Sequence, residues 1–250
     1  MENNTHPLLE SFREFFSINM ATTPELKRDV YRIRYRVYCE DMQFEPAEQF
    51  PDKLETDEFD DHSLHCLVTH KRTGQPAGCM RLVEAGTELQ LPFEKRCLNT
   101  VYTEFMADLY EHRDSICEFS RMAIDRDFRR RAGENHTRVG ELDALDWSRR
   151  EQRTFSLIGV AATLAAFAMA DLTGRDRVFA MMERHLPRLL RRSGFLMQQA
   201  GDFTEYHGRR ALYFNTVEQV VENLRPELRQ LYNAIRRDFS TQISRAENVA

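Results

Sequence analysis

Disulfide-forming cysteines, repeats and secretion signals are all scarce or absent in this sequence. The five cysteines are an odd number, lie 13 to 27 residues apart and include no Cys-x-x-Cys pair. This pattern argues against a disulfide framework or a zinc site and predicts free thiols in a reducing cytosol. The opening residues, MENNTHPLLE, are polar and acidic, which does not fit a secretory signal peptide. We therefore expect a cytoplasmic protein.

Long apolar runs are also rare. Residues 155–170 form the one segment that invites comparison with a membrane span, with sixteen residues and no charge. A bilayer needs about 20 apolar residues. The segment also contains Ser156, Gly159, Thr163 and six alanines. It predicts a fully buried helix in a soluble core and no transmembrane segment.

The net charge is −5, so the chain as a whole lacks the basic surplus of a polyanion-binding protein. The charge is unevenly placed: residues 40–61 carry ten carboxylates against one lysine, and residues 121–153 carry nine arginines. Such blocks are usually solvated faces. The arginine block has no interleaved aromatic residues, which disfavours a nucleic-acid binder.

The apolar patterning predicts an α/β protein with one mixed sheet and helices on both faces. Strands are expected at residues 14–20, 64–70, 77–84, 116–124, 177–182, 195–199 and 210–216. Helices are expected at residues 24–40, 138–150, 153–172 and 183–192, the first of them started by Thr23, Pro24 and a following glutamate. Residues 1–216 should form a single domain, and residues 217–250 a peripheral helical extension.

Two arginines occur where this pattern predicts burial. Arg34 lies between tyrosines on the first helix, and Arg81 lies in the strand 77–84. A buried guanidinium needs a carboxylate partner, which the protein or a ligand can supply. Asp57 and Asp60 in the acidic segment are the candidate partners within the protein. An arginine between aromatic rings and a solvated acidic loop are the simpler explanations of these features.

The strand 116–124 carries Glu118, Ser120 and Arg121 in an otherwise apolar run. Ionisable groups in a core strand are costly unless they are paired or used. Residues three apart point to opposite faces of a regular strand, so a shared site requires a β-bulge there. Glu118 is then the candidate general base, with a pKa raised by burial or lowered by Arg121.

Two weaker patterns complete the set. His62 and His65 form a His-x-x-His pair without a third ligand at helical spacing, so we expect no metal site. After the strand 116–124 comes a basic loop that ends in glycine, a degenerate form of the loops that offer backbone N–H groups to a pyrophosphate or phosphopantetheine. Its residues are Arg126, Arg129, Arg130, Arg131 and Gly133.

Taken together, these clusters resemble the acyl-homoserine-lactone synthases of the GNAT superfamily. The family's ordered series of residues reads here as Arg34, Tyr38, Phe44, Asp57, Asp60, Arg81, Glu118 and Arg121. The family usually has phenylalanine and tryptophan where Tyr38 and Phe44 stand, and the tryptophan helps shape its S-adenosylmethionine pocket. This departure weakens the implication that S-adenosylmethionine is the substrate.

The chain is still more similar to a sibling group, the acyltransferases associated with the PEP-CTERM/exosortase protein-sorting system, which resemble N-acyl amino acid synthases. The stretches that carry this resemblance are RIRYRVYCEDMQFEP, LETDEFDDHS, LPFEKRC and EFSRMAI. The resemblance implies a three-layer GNAT fold and a fatty acyl thioester donor on acyl carrier protein or coenzyme A. It implies no permanently bound cofactor and no metal.

The hypothesis from these residues is direct transfer of the acyl group to the amine of a small acceptor, an amino acid. Glu118 would take the proton and Arg121 would orient it, with Ser120 beside them. Arg34 and Arg81 would either bind the acceptor's carboxylate or tie down Asp57 and Asp60. Two alternatives stay open: an acyl-homoserine-lactone synthase that uses S-adenosylmethionine, and a non-catalytic acyl-carrier or lipid-binding module of the exosortase system.

Overall fold

The computed structural model describes residues 7–129 and 149–247. The first range contains, in chain order, α1 (Pro7–Phe15), β1 (Phe16–Met20), α2 (Pro24–Tyr35), β2 (Ser63–His70), β3 (Pro76–Glu84), α3 (Pro92–Cys97), α4 (Thr103–Glu111), β4 (Ile116–Ile124) and α5 (Arg126–Arg129). The second contains α6 (Arg149–Thr154), α7 (Ser156–Leu172), β5 (Arg177–Glu183), α8 (Leu186–Arg191), β6 (Gln198–Gln199), β7 (Thr204–Glu205), β8 (Arg209–Thr216), α9 (Val217–Asn223) and α10 (Pro226–Glu247). The helix expected at residues 138–150 lies almost wholly outside the described residues.

The strands of the described chain form one eight-stranded mixed sheet in the order β1-β2-β3-β4-β5-β8-β6, with β7 paired to β8. Among the described strands, only the central pair, β4 and β5, is parallel. Its pairing stops at Phe119 and Ala180, although β4 continues to Ile124 and β5 to Glu183. The two strands therefore separate and leave a gap in the middle of the sheet.

Helices cover both faces of this sheet, as the sequence predicts. Successive strand residues point to opposite faces, and in β2 the side chain of Leu67 packs with α2 whereas Cys66 and Val68 pack with α7. The α7 face also carries α1 and α10, and the opposite face carries α2, α3 and α4. The predicted α/β class with a three-layer arrangement is confirmed.

Helix α2 begins where its capping residues indicate. The Thr23 hydroxyl accepts a hydrogen bond from the Leu26 backbone N–H at 3.3 Å, and Pro24 occupies the first turn. Val30 and Ile33 form its buried stripe. A π-helical turn, Arg36–Asp41, follows directly, so the helical segment ends one residue beyond the predicted end. The acidic segment beyond it is mostly irregular, with short 3-10 turns at Ala47–Gln49 and Asp60–His62.

Helix α7 is apolar on all sides because it is enclosed by the sheet and by α10. The helical stretch Glu151–Leu172 is long and apolar enough to cross a membrane by length and composition, but 67% of its most apolar window is buried inside the protein. Gly159 permits close packing: a Cβ there would lie 2.9 Å from the terminal methyl of Met122. These contacts fit the predicted core helix.

The C-terminal segment is not the peripheral extension that the sequence suggests. Helix α10 packs against α7, and its stripe of Leu231, Ile235 and Phe239 is buried in the main core. The residues on its exposed face are charged, so the average composition of the segment hides the buried apolar stripe. At the other end of the chain, the first strand begins at Phe16 instead of residue 14, because α1 extends to Phe15.

Candidate active site

Arg34 is fully buried and its guanidinium is saturated by carboxylates. Its Nε donates to Glu55 Oε2 at 2.5 Å, and its two terminal nitrogens donate to the two oxygens of Asp60 at 2.6 and 3.0 Å. Glu55 is itself fully buried. The acidic segment is therefore anchored to α2 by a fork-shaped ion pair, which gives geometric specificity as well as energy.

Two further arginines extend this arrangement. Arg81 donates to Asp57 at 2.5 Å, to Asp60 at 3.0 Å and to the Ser120 hydroxyl at 3.0 Å. Arg121 lies 3.0 Å from Glu55 Oε1, 3.1 Å from Asp57 and 3.2 Å from Glu45. We call the set the arginine network, whose members are Arg34, Arg81, Arg121, Glu45, Glu55, Asp57 and Asp60.

Burial and the neighbouring arginines act in opposite directions on the pKa values of Asp57 and Asp60, two central carboxylates of the arginine network. Burial alone would raise the pKa of Asp60, but Arg34 and Arg81 outweigh it and hold that pKa well below its usual range. The pKa of Asp57 is lowered in the same way, against burial, by Arg81. Removing one member of such a set leaves a buried charge without its partner, which is strongly destabilising.

Of the two roles left open for Arg34 and Arg81, the structure shows the second: both guanidinium groups tie down carboxylates of the acidic segment. The expected role of Arg121 needs correction. Its hydrogen bonds go to Glu55 and Glu45, not to Glu118. Arg121 is instead paired with carboxylates of the acidic segment.

The predicted β-bulge is present in β4. Cys79 of β3 is paired with Ala123, and Arg81 with Ser120, so Met80 alone lies opposite Arg121 and Met122. Arg121 has a φ of 49°, which is uncommon for a non-glycine residue. Because of this extra residue, Arg121 and Ser120 both line the cavity described below.

Glu118 is buried at the start of the gap between β4 and β5. Its Oε2 accepts a hydrogen bond from the Phe93 backbone N–H at 2.8 Å, which fixes the carboxyl group. Burial raises the pKa of Glu118 to about 8, while the Phe93 hydrogen bond and Arg81 oppose the shift. A carboxyl group with such a pKa is a stronger base than an ordinary glutamate.

A cavity of about 230 Å³ passes through the gap in the sheet. Thr163 and Phe167 of α7 line it from one face, and Tyr38 and Pro92 line it from the other. Its walls are largely apolar and contain five methionines, Met80, Met122, Met181, Met182 and Met197. Methionine side chains adapt to irregular and flexible ligands, so this lining suits an aliphatic chain.

Polar side chains gather where the cavity meets the turn between β7 and β8. Tyr206, His207 and Arg210 line the cavity there. Phe44 lies beneath them, with its ring centre 5.1 Å from the His207 ring and 5.6 Å from the Arg210 guanidinium carbon. We call Phe44, Tyr206, His207 and Arg210 the polar cluster.

Comparison with known proteins identifies the fold. A sequence profile described as an acetyltransferase (GNAT) domain matches residues 33–138. No curated protein matches the chain in sequence.

Several solved structures superpose over most of their length. TofI, in a ternary complex with an inhibitor and MTA, has 19% identity and a TM-score of 0.59, covering 86% of this chain and 99% of its own. FeeM, an N-acyl amino acid synthase from uncultured soil microbes, has 13% identity and a TM-score of 0.54, covering 85% and 96%. MesI, a coenzyme A-dependent acyl-homoserine lactone synthase, has 18% identity and a TM-score of 0.54, covering 88% and 95%.

The protein has the GNAT fold. At these identities the likeness establishes the fold alone, so the chemistry must be argued from the site of this chain. Within the GNAT fold of this chain, the parting of β4 and β5 provides the cavity, and Glu118, Ser120 and Arg121 lie on its β4 edge.

The residues selected from the sequence divide into three groups within this GNAT fold. Tyr38, Glu118, Ser120 and Arg121 line the cavity, and Phe44 supports it. Arg34, Arg81, Asp57 and Asp60 lie behind it in the arginine network. The third group is the expected donor-binding loop. Arg126 lies 3.8 Å from Asp41, and Arg129 forms an ion pair with the same carboxylate. The other three residues of the loop, Arg130, Arg131 and Gly133, lie outside the described residues.

Sequence reasoning selected Phe44 but missed the other three residues of the polar cluster and two carboxylates of the arginine network. Glu45 and Glu55 lie among ten acidic residues without regular spacing, so nothing distinguished them. His207 directly precedes Gly208, and Arg210 is the second residue after it, at the start of a strand, where charged residues normally face solvent. The turn signal at Gly208 was the only local cue.

The described residues contain no group of three or more His, Cys, Asp or Glu side chains arranged to hold a metal ion. His65 is buried with its Nε2 3.6 Å from Asp60. Burial and then Arg34 lower the pKa of His65 to about 3, so this imidazole is neutral. All five cysteines are buried and free.

Proposed function

We propose that the protein is an N-acyltransferase that moves a fatty acyl group from a thioester onto the amine of a small acceptor, an amino acid, to give an N-acyl product. The observation that carries this proposal is the cavity through the gap between β4 and β5. Its walls combine apolar side chains, among them Phe119, Phe167 and Phe195, with the polar side chains of Glu118, His207 and Arg210. A flexible acyl chain and a polar acceptor could therefore meet inside the protein.

The transfer requires a stabilised oxyanion. Beyond Phe119 the backbone of β4 has no β5 partner in the described chain, so its polar groups can bind the carbonyl oxygen of the thioester. Fixed backbone donors of this kind stabilise the negative charge that develops as the amine attacks. Ser120 lies on the same edge, and its hydroxyl accepts a hydrogen bond from Arg81.

Glu118 is the proposed proton acceptor. The neutral amine attacks the thioester carbonyl carbon, Glu118 removes a proton from the nitrogen, and the C–S bond breaks to release the thiol. The thiolate recovers a proton, so the products are an amide and a free thiol. A base with a pKa near the working pH is efficient in this role, and burial gives Glu118 that property.

An acyl carrier protein is the proposed donor, with acyl-coenzyme A as the alternative. Helix α8 supports the first choice, because Leu186 and Leu190 line the cavity while Arg188, Leu189 and Arg191 are exposed. Carrier proteins are acidic, and complementary charge steers such encounters. By contrast, Arg126 and Arg129 face Asp41, which reduces the positive charge available in the expected loop.

The test is a transfer assay with purified protein and dodecanoyl thioesters of carrier protein and coenzyme A. Free amino acids and S-adenosylmethionine are offered as acceptors, thiol release is followed, and the products are identified by mass spectrometry. N-Acyl amino acids would support the proposal, and a lactone formed from S-adenosylmethionine would replace it. Absence of thiol release with every acceptor would indicate a binding module. The association with an exosortase system stays a prediction from the resemblance.

A further inference from the structure

Arg210 differs from every arginine of the arginine network in what surrounds its guanidinium. It lies at the start of β8 opposite Glu183 of β5 and lines the cavity. Its side chain is only 17% exposed. Its Nε is buried and has no hydrogen-bond partner among the described residues. Its one ion pair there, to Glu183, is 3.5 Å long, at the limit of a hydrogen bond.

A buried donor without a partner costs free energy, and native proteins rarely leave one unsatisfied. Arg81 also has one such nitrogen, Nη2, but its other nitrogens bind Asp57, Asp60 and Ser120. Among the described residues, Arg210 has only the 3.5 Å contact with Glu183. The Nε edge of a guanidinium presents two parallel donors, which match the two oxygens of a carboxylate.

The neighbours of Arg210 make its surroundings electropositive. Burial, followed by Arg121, Arg210 and Arg96, lowers the pKa of His207, so its imidazole is neutral. Glu45 lies 3.4 Å from His207 and is shared with Arg121. Burial raises the pKa of Glu45, against the effect of Arg121. Glu45 is thus engaged by Arg121 and His207, and among the described residues Arg210 forms an ion pair with Glu183 alone.

We propose that Arg210 binds the carboxylate of the acceptor and so selects amino acids over amines that lack a carboxylate. The assignment rests on the proposed N-acyl transfer. Arg210 belongs to the polar end of the cavity, with Phe44 beneath its guanidinium, whereas the methionines and phenylalanines provide the path for the acyl chain. Arg34 and Arg81 cannot take this role, because carboxylates of the protein already occupy them.

The experiment measures binding of matched products by calorimetry. The probes are the N-dodecanoyl derivatives of glycine, leucine and tyrosine, each as the free acid and as the primary amide. Wild type is expected to bind the acids roughly 10²-fold more tightly, the scale expected when a buried charge pair is truncated. Arg210→Gln should bind acid and amide about equally.

Arg209→Gln is the matched control, since Arg209 is the adjacent arginine of β8, is exposed and does not line the cavity. It should keep the wild-type preference. If Arg210→Gln does not fold, Arg210→Lys decides, because lysine keeps the charge but not the planar fork; it should reduce the preference on the order of tenfold. The assignment is overturned if the folded Arg210 variant keeps the wild-type preference for the free acids over the amides, or if wild type shows no such preference.

Transfer assays with glycine and glycinamide separate this assignment from the proposed function. Acyl transfer to both with equal efficiency by wild type would leave the N-acyltransferase in place and remove the role of Arg210. Selective binding of the acids without any transfer would support the carboxylate site and overturn the enzymatic proposal.

Discussion

The arginine network and the polar cluster each place an arginine on the cavity wall, Arg121 and Arg210, but the two arginines differ in how closely carboxylates pair with them. In the network, three arginines bind four carboxylates of the same chain at distances between 2.5 and 3.2 Å. In the polar cluster, Arg210 has only a 3.5 Å contact with Glu183. The completed set fixes the acidic segment against α2, β3 and β4, whereas the incomplete set faces the cavity. A ligand is therefore indicated by the buried Arg210 donor without a hydrogen-bond partner among the described residues, and not by the burial of charge alone.

The largest expected effect comes from breaking the completed set. Arg34→Leu leaves Glu55 and Asp60 buried without their principal partner, and it should reduce the free energy of unfolding by about 3–5 kcal/mol. Urea unfolding measures this. Arg210→Gln is the comparison and should cost less than about 1 kcal/mol, since the ion pair of Arg210 with Glu183 is long and Glu183 is exposed. Equal losses in the two variants would contradict the contrast.

The next effect concerns Glu118, which lines the same cavity as Arg121 and Arg210. Glu118→Gln should keep the fold and lower turnover by roughly 10²-fold or more, the scale of general-base catalysis. Because burial raises the pKa of Glu118 to about 8 and the base must be ionised, the wild-type rate should rise with pH and level off above that value. A pH–rate profile measures both. Near-normal turnover in the folded variant would remove Glu118 from the mechanism.

Charge reversal on α8 tests whether the donor approaches beside the apolar path. Arg188→Glu with Arg191→Glu should lower kcat/KM for an acyl carrier protein donor by roughly tenfold at low salt, and less as salt screens the attraction. A neutral acyl-pantetheine should react unchanged. Arg129→Glu is the control, because Asp41 already pairs with Arg129. A similar loss with the neutral donor would show that α8 does not bind the carrier.

The smallest effect is expected at Tyr38, which touches both regions. Its hydroxyl donates to the Met122 carbonyl at 3.0 Å, and the Arg121 guanidinium carbon lies 5.3 Å from its ring centre. Tyr38→Phe leaves that carbonyl at the bulge without a partner and should cost about 1 kcal/mol. Urea unfolding provides the measurement. No change in stability would mean that the bulge is held by the arginine network alone.

Local signals predicted much of the fold. The cap at Thr23, the hairpin of β2 and β3 and the apolar helix α7 each depend on a few neighbouring residues, so their positions follow from sequence. The bulge could also be predicted, because a regular strand cannot bring Glu118 and Arg121 to one site. The positions of these elements and of the bulge depend only on local geometry.

The pairings of the site could not be predicted in the same way. Arg34 and Glu55 are 21 residues apart, and Arg121 and Glu55 are 66 apart, so only the folded chain decides which carboxylate meets which arginine. The polar cluster combines Phe44, which lies just beyond the π-helical turn Arg36–Asp41, with the turn before β8 for the same reason. Helix α10 was misjudged because its charged residues outweigh the stripe of Leu231, Ile235 and Phe239 in any average over the segment.

The five methionines of the cavity give the two regions different chemical vulnerabilities. Oxidation converts methionine into a polar sulfoxide, and each such change would make the acyl path more hydrophilic and less able to hold an aliphatic chain. The arginines and carboxylates of the network contain no sulfur. Under peroxide the protein would therefore lose its affinity for long acyl chains while the network still held the acidic segment in place, and methionine sulfoxide reductase would restore that affinity.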